Sequence, residues 1–243
     1  MKLPQSSVRH SLSLILALCS PMSHAGLLGL TPDFPVVEFS DSGTISYNAS
    51  SGVLDISGSP SSLFSAEPFI LSEILGTTQD GVKGVNISFQ VDSAGNFVSG
   101  IANGPDLIIT GSVDVDGDSS VDYDGILLTA KVSQFGFLNG SANGADTFDL
   151  RLNNIGGALA YLYSNMNLAA SITSEASHSY PNPFAGSFGG DWQGLAKGTI
   201  GLVSTSLPDS AAVPILPAFW LWAGALAAVF IGPARRRDHT LKG

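Results

Sequence analysis

The run SVDVDGDSSVDYDG, residues 112–125, sets Asp114, Asp116 and Asp118 two apart, continues the spacing through Ser120 and Asp122, and adds Asp124. Calcium takes about six to eight oxygen ligands, mostly carboxylate and carbonyl, from a tightly turning chain. Counted from Asp114, these residues fall at the first, third, fifth, seventh and ninth positions of a calcium loop. Ser119 stands where such a loop carries its turn glycine, and Gly125 stands where the closing bidentate Glu belongs. The flanks read as strands, so the run is not an EF-hand. Two readings stay open. It is a calcium-binding β-hairpin loop of related spacing, or a solvated acidic turn whose Asp-Gly pairs serve backbone geometry.

Other chemistry is thinly supplied. His178 is the only histidine between Gly26 and Leu207, and its neighbours Ser177 and Glu175 sit in a loop-like stretch, SEASHSYPNP. No Gly-x-Ser-x-Gly elbow marks a nucleophile. The single cysteine, Cys19, and the scattered histidines do not make a zinc or iron set. A glycosidase needs two carboxylates facing across a cleft; the acids are numerous, but no spacing selects a pair. Aromatic residues gather late in the body, and SYPNPFAGSFGGDWQG offers Tyr180 and Trp192 as sugar-stacking candidates. The competing reading makes these rings part of the core.

The elements that must hold these residues read as strands. TISYNASSGVLDIS is two short strands around a turn, and Val85, Ile87, Phe89 and Val91 share one face. Leu107, Ile109, Gly111, Val113 and Val115 alternate, as do Phe148, Leu150 and Leu152; LAASIT and GLAKGTIGLV continue the pattern. Period-two alternation between turn clusters predicts antiparallel sheets with one buried face. The expected fold is all-β, an antiparallel sandwich or a flattened barrel. SAEPFILSEIL allows a short helix starting at Glu67-Pro68, and GGALAYLYSNM fits a helical turn or a strand.

Between Gly26 and Leu207 eighteen acids face four bases, Lys83, Lys131, Arg151 and Lys197, a net charge of −14. Such a surface repels nucleic acid and anionic membrane and suits divalent cations and hydrated surroundings. Acidity that only keeps the protein soluble is the plainer alternative.

The two ends differ from the body. Lys2 and Arg9 precede a short apolar stretch, Leu12 to Cys19, and Ser23 and Ala25 occupy the −3 and −1 places of a secretory cleavage site. Cleavage between Ala25 and Gly26 is expected. Leu18 stands before Cys19 where a lipoprotein signal carries a small residue. At the other end, Val213 to Gly232 is twenty residues without charge. At about 1.5 Å per residue that matches a hydrocarbon core of roughly 30 Å. Pro214 and Pro217 lie at its start, Trp220 and Trp222 near the same end, and Arg235, Arg236 and Arg237 just beyond it. The arginines predict an orientation with the acidic body outside.

Val213, Pro214, Pro217, Trp220, Gly224 and the cluster Arg235–Arg237 together resemble the PEP-CTERM class of C-terminal sorting signals, including its VPLPA-type variants. Here the motif reads VPILP. The resemblance is confined to this tail. It implies an exported bacterial protein handled by an exosortase-type enzyme in the inner membrane, in a cell that makes extracellular polysaccharide.

The expected organisation is a signal peptide over 1–25, an all-β extracellular domain over 26–207, a linker over 208–212, a transmembrane sorting signal over 213–237 and a cytoplasmic tail over 238–243. The expected role is structural or adhesive, at the cell surface or in a biofilm matrix. A carbohydrate-binding module, with calcium as an optional stabiliser, is the alternative, and a secreted hydrolase comes third. Nucleic acid is not an expected partner.

Overall fold

A computed structural model of the protein describes residues 26–66, 69–140, 145–164, 166–175 and 182–204. The signal sequence through Ala25, Tyr180, His178 and the whole tail from 205 onward lie outside the described residues.

Alternating sequence becomes alternating burial. The strands are β1 (Pro32–Asn48), β2 (Val53–Ala66), β3 (Phe69–Glu73), β4 (Gly84–Val91) and β5 (Phe97–Gly100). The second half adds β6 (Leu107–Val113), β7 (Tyr123–Leu138), β8 (Asp146–Gly156), β9 (Leu168–Glu175) and β10 (Trp192–Val203). Val85, Ile87, Phe89 and Val91 on β4 all point inward, and Phe148, Leu150 and Leu152 do the same on β8. The stretch allowed as a helix start is corrected: Phe69–Glu73 is a strand, held against Ser62–Ala66 of β2. The ambiguous stretch after β8 forms a single 3-10 turn, Ala160–Tyr163.

Every strand pairing is antiparallel, and eight strands close on themselves. β1 pairs with β10 and β2, β2 with β4, β4 with β6, and β6 to β10 follow in order. The closed ring selects the barrel over the open-edged sandwich, because first and last strands pair and no edge of the eight is left unmatched at the closure. β3 and β5 are additions: β3 extends β2, and β5 takes the end of β4 that β6 does not reach.

The interior is packed with side chains. Seven rings meet at its centre: Tyr47, Phe135, Phe137, Phe148, Phe184, Phe188 and Trp192. Phe148 stacks on Trp192 at 5.7 Å, and Phe184 lies 4.7 Å from the same indole. Outward positions on β4 and β10 include polar residues, as in Asn86, Ser88 and Gln90 on β4 and Gln193 and Lys197 on β10, while β3, β5 and β7 expose Leu71, Val98, Ile126 and Leu138. Among the described residues no helix is long and apolar enough to cross a membrane.

Three buried carboxylates tie loops and flanking chain to the barrel. Asp106, 2% exposed, accepts from the Ile101 and Val132 amides at 2.6 and 2.9 Å and pairs with Lys131 Nζ at 3.2 Å. A Cβ at Gly100 would collide with this carboxylate, so the approach demands glycine there. Asp149 accepts from the Gly29 and Leu30 amides and holds residues 29–30 against β8. Asp146 accepts from the Gly140 amide.

Burial raises the Asp146 and Asp149 carboxyls above the ordinary 3.8, only partly offset by those amides. The folded chain then holds protons that the unfolded chain releases, between pH 3.8 and the raised values. Stability falls as pH rises through that window and returns as pH falls. Asp80, Asp92 and Asp114 run the other way: hydrogen bonds lower them, and their contribution is lost as pH drops below 3.8. The melting temperature is therefore expected to rise from neutral to mildly acidic pH and to fall below about 3.8. Calorimetry of the double variant Asp146→Asn, Asp149→Asn should show a smaller rise. An unchanged rise would contradict this assignment.

Candidate functional site

The acidic run forms the hairpin between β6 and β7. Val113 pairs with Tyr123, and the intervening chain folds through left-handed Gly117 and Ser119, with φ of 79° and 71°. Its carboxylates bind their own backbone. Asp114 accepts from the amides of Gly117 at 2.7 Å and Ser119 at 2.8 Å, and Asp122 accepts from Val115 at 2.7 Å. Asp116 caps the Asp118 amide and Asp118 caps Ser120. Hydrogen bonding to the charged form holds the Asp114 carboxyl below its ordinary value, the Gly117 amide contributing most.

Of the four aspartates among the sequence candidates, the fold gathers three. Asp114, Asp116 and Asp122 each present a carboxylate oxygen within 4.8 Å of the others, whereas the Asp118 carboxylate stands outside the trio. Like charges so close repel, and either a cation or the amides already bound must offset them.

The aromatic candidates divide. Trp192 is 4% exposed, with Phe148 stacked on it and Tyr47 at 6.1 Å, so neither face is free to receive a sugar ring. Its Nε1–H has no hydrogen-bond partner among the described residues. Tyr163, Phe184 and Phe188 are likewise buried, while Tyr161 is 55% exposed beside Tyr123, with ring centres 5.9 Å apart. Phase explains this. Trp192, Gly194, Ala196 and Ile200 share the inner face of β10, and that alternation in the sequence was the signal that Trp192 belongs to the core.

A cleft of about 350 Å³ opens above the edges of Tyr47 and Trp192. Strand register builds its floor: Gln193 on β10 lies opposite Ser46 on β1, which lies opposite Asp55 on β2. The three point outward because Ile45, Tyr47, Leu54 and Ile56 point inward. Asn48, Asn182 and Asp191 complete the lining. Two bonds fix this wall, from the Gln193 amide to the Asn182 carbonyl at 2.8 Å and from the Ala49 amide to Asp191 Oδ1 at 2.7 Å. The side chains of Ser46, Asp55 and Gln193 make no hydrogen bond among the described residues. The stretch SYPNPFAGSFGGDWQG, singled out in the sequence for sugar stacking, supplies Asn182, Asp191, Trp192 and Gln193 of this lining, whereas Ser46 and Asp55 carried no signal because they join it only through strand register.

Chemically, the cleft offers hydroxyl, amide and carboxylate groups, and among the described residues no lysine, arginine or histidine lines it. Comparison with known proteins found no matching family model, no matching curated protein and no matching solved structure.

Proposed function

We propose that the chain is an exported protein, sorted through its C-terminal tail by an exosortase-type enzyme, with a structural or adhesive role at the cell surface or in the extracellular polysaccharide matrix. One observation carries this reading: the uncharged stretch Val213–Gly232, opened by Pro214 and Pro217 and followed at once by Arg235–Arg237. A span of that length with cytoplasmic arginines holds the body outside the inner membrane until the tail is processed. The barrel suits such a role. Its interior is filled, and the span from Gly26 to Leu207 carries a net charge of −14. The C-terminal residue of the mature protein, read after cell fractionation, distinguishes a processed tail from a permanent anchor.

The second reading is carbohydrate binding, favoured by the cleft with its free row Gln193–Ser46–Asp55. In either role the trio Asp114, Asp116 and Asp122 is the place where a calcium ion would be held, relieving repulsion and locking the β6–β7 hairpin. Millimolar calcium is expected to raise the melting temperature, and Asp116→Ala to abolish the rise. An unchanged melting temperature with calcium or EDTA would leave the hairpin as a self-capped turn.

A further inference from the structure

We propose that the cleft over Tyr47 and Trp192 binds a glycan whose sugars carry free amines, a proposal that rests on the carbohydrate-binding reading and names its ligand class. Neighbouring strands lie roughly 4.8 Å apart, so Gln193, Ser46 and Asp55 present three polar groups over about 10 Å of the barrel wall. These groups have no protein partner among the described residues, so a ligand can take them without breaking a bond. Such a row matches the spaced hydroxyls of linked pyranose rings better than it matches an apolar ligand.

Charge then narrows the ligand. Among the described residues, Asp55 and Asp191 are the only charged ones lining the cleft, and both are exposed carboxylic side chains. A uronate, sulfate or phosphate group would meet two acidic side chains and, among the described residues, no basic one. An ammonium group on a hexosamine meets two acceptors, and charge-assisted hydrogen bonds are the stronger kind. The surrounding body, at −14, adds long-range attraction for a polycationic chain. Selectivity follows from the same groups, because acetylation of the amine removes the charge that Asp55 recognises.

The test uses the full chain in neutral detergent, titrated calorimetrically with a glucosamine hexamer, its fully N-acetylated form and a galacturonate hexamer. The amine form is expected to bind, more weakly at high salt, and the uronate not at all. Asp55→Asn should weaken binding by about tenfold, as loss of one charge-assisted contact does. Gln193→Ala, which removes a neutral contact, should weaken it by a smaller factor, and Asp118→Asn, on the β6–β7 hairpin outside the cleft, should leave it unchanged. All three positions are exposed, and an unchanged melting temperature in each variant excludes misfolding. Equal binding of the acetylated hexamer would overturn amine recognition while leaving carbohydrate binding intact. Equal weakening by Asp118→Asn and Asp55→Asn would reduce the effect to general charge attraction and overturn the site. Binding of none of the three would overturn both this proposal and the carbohydrate reading.

Discussion

Replacing Asp106 by alanine is expected to destabilise the barrel by about 3–5 kcal/mol. The carboxylate is buried beneath the loop before β6 and serves three donors at once: the Ile101 amide, the Val132 amide and Lys131. Alanine leaves the Val132 amide unpaired in the interior, at a cost of about 1–3 kcal/mol for a buried donor. It also strips Lys131 of its ion partner, although the Lys131 ammonium keeps the Ile101 carbonyl at 2.7 Å. The fixed loop is lost with them. Asp106→Asn retains one acceptor oxygen and should lose less. Urea denaturation of the two variants checks the order, and an alanine variant within about 1 kcal/mol of the parent would contradict the role given to this carboxylate.

An effect of similar size is expected at the aromatic centre. Phe148→Ala should cost about 3–5 kcal/mol, since the ring is fully buried and the neighbours cannot all collapse into the space. Its ring lies against Trp192, Phe184 and Phe135, at 5.7, 5.3 and 6.2 Å. These rings come from β8, β10, the loop before β10, and β7, so the loss reaches four parts of the ring of strands. Phe148→Leu should cost less than half as much. Phe34→Ala, at a ring 47% exposed near the start of β1, should stay within about 0.5 kcal/mol. Thermal melts of the three variants give the comparison. A Phe148→Ala loss no larger than that of Phe34→Ala would contradict the packing described here.

Much of the strand content was legible from local pattern. The alternation of Val85 to Val91 and of Phe148 to Leu152 fixes which side chains face inward, because a strand's side chains alternate with a period of two. The turn after β1 was legible as well: Asn48 accepts from the Ser50 and Ser51 amides, and Gly52 takes φ of 68°. Closure of the ring was not legible. It depends on β1 meeting β10 and β2 meeting β4, pairings between segments that carry no mark of their partners in a single sequence. β3 was obscured by Glu67-Pro68, whose order suits a helix start as well as a break between strands.

The candidate sites divide along the same line. The acidic hairpin was visible because all its carboxylates lie within one short run, and the fold selects Asp114, Asp116 and Asp122 from it. The cleft was visible only in part: SYPNPFAGSFGGDWQG holds Asn182, Asp191, Trp192 and Gln193, but Ser46 and Asp55 are ordinary outward-facing residues until register aligns them with Gln193. Asp106 and Asp149 were hidden for a related reason, their partners being backbone amides at 101 and 132 and at 29 and 30. Trp192 was open to two readings from composition, and strand phase is what places it inside.

The central claim concerns the tail, and mass spectrometry of the mature protein's C-terminus after cell fractionation tests it most directly. The account predicts a body found outside the inner membrane, beginning at Gly26 and ending before the arginine cluster, with Arg235–Arg237 absent. An intact Arg237 on protein confined to the membrane fraction would contradict it and leave the last residues as a permanent anchor.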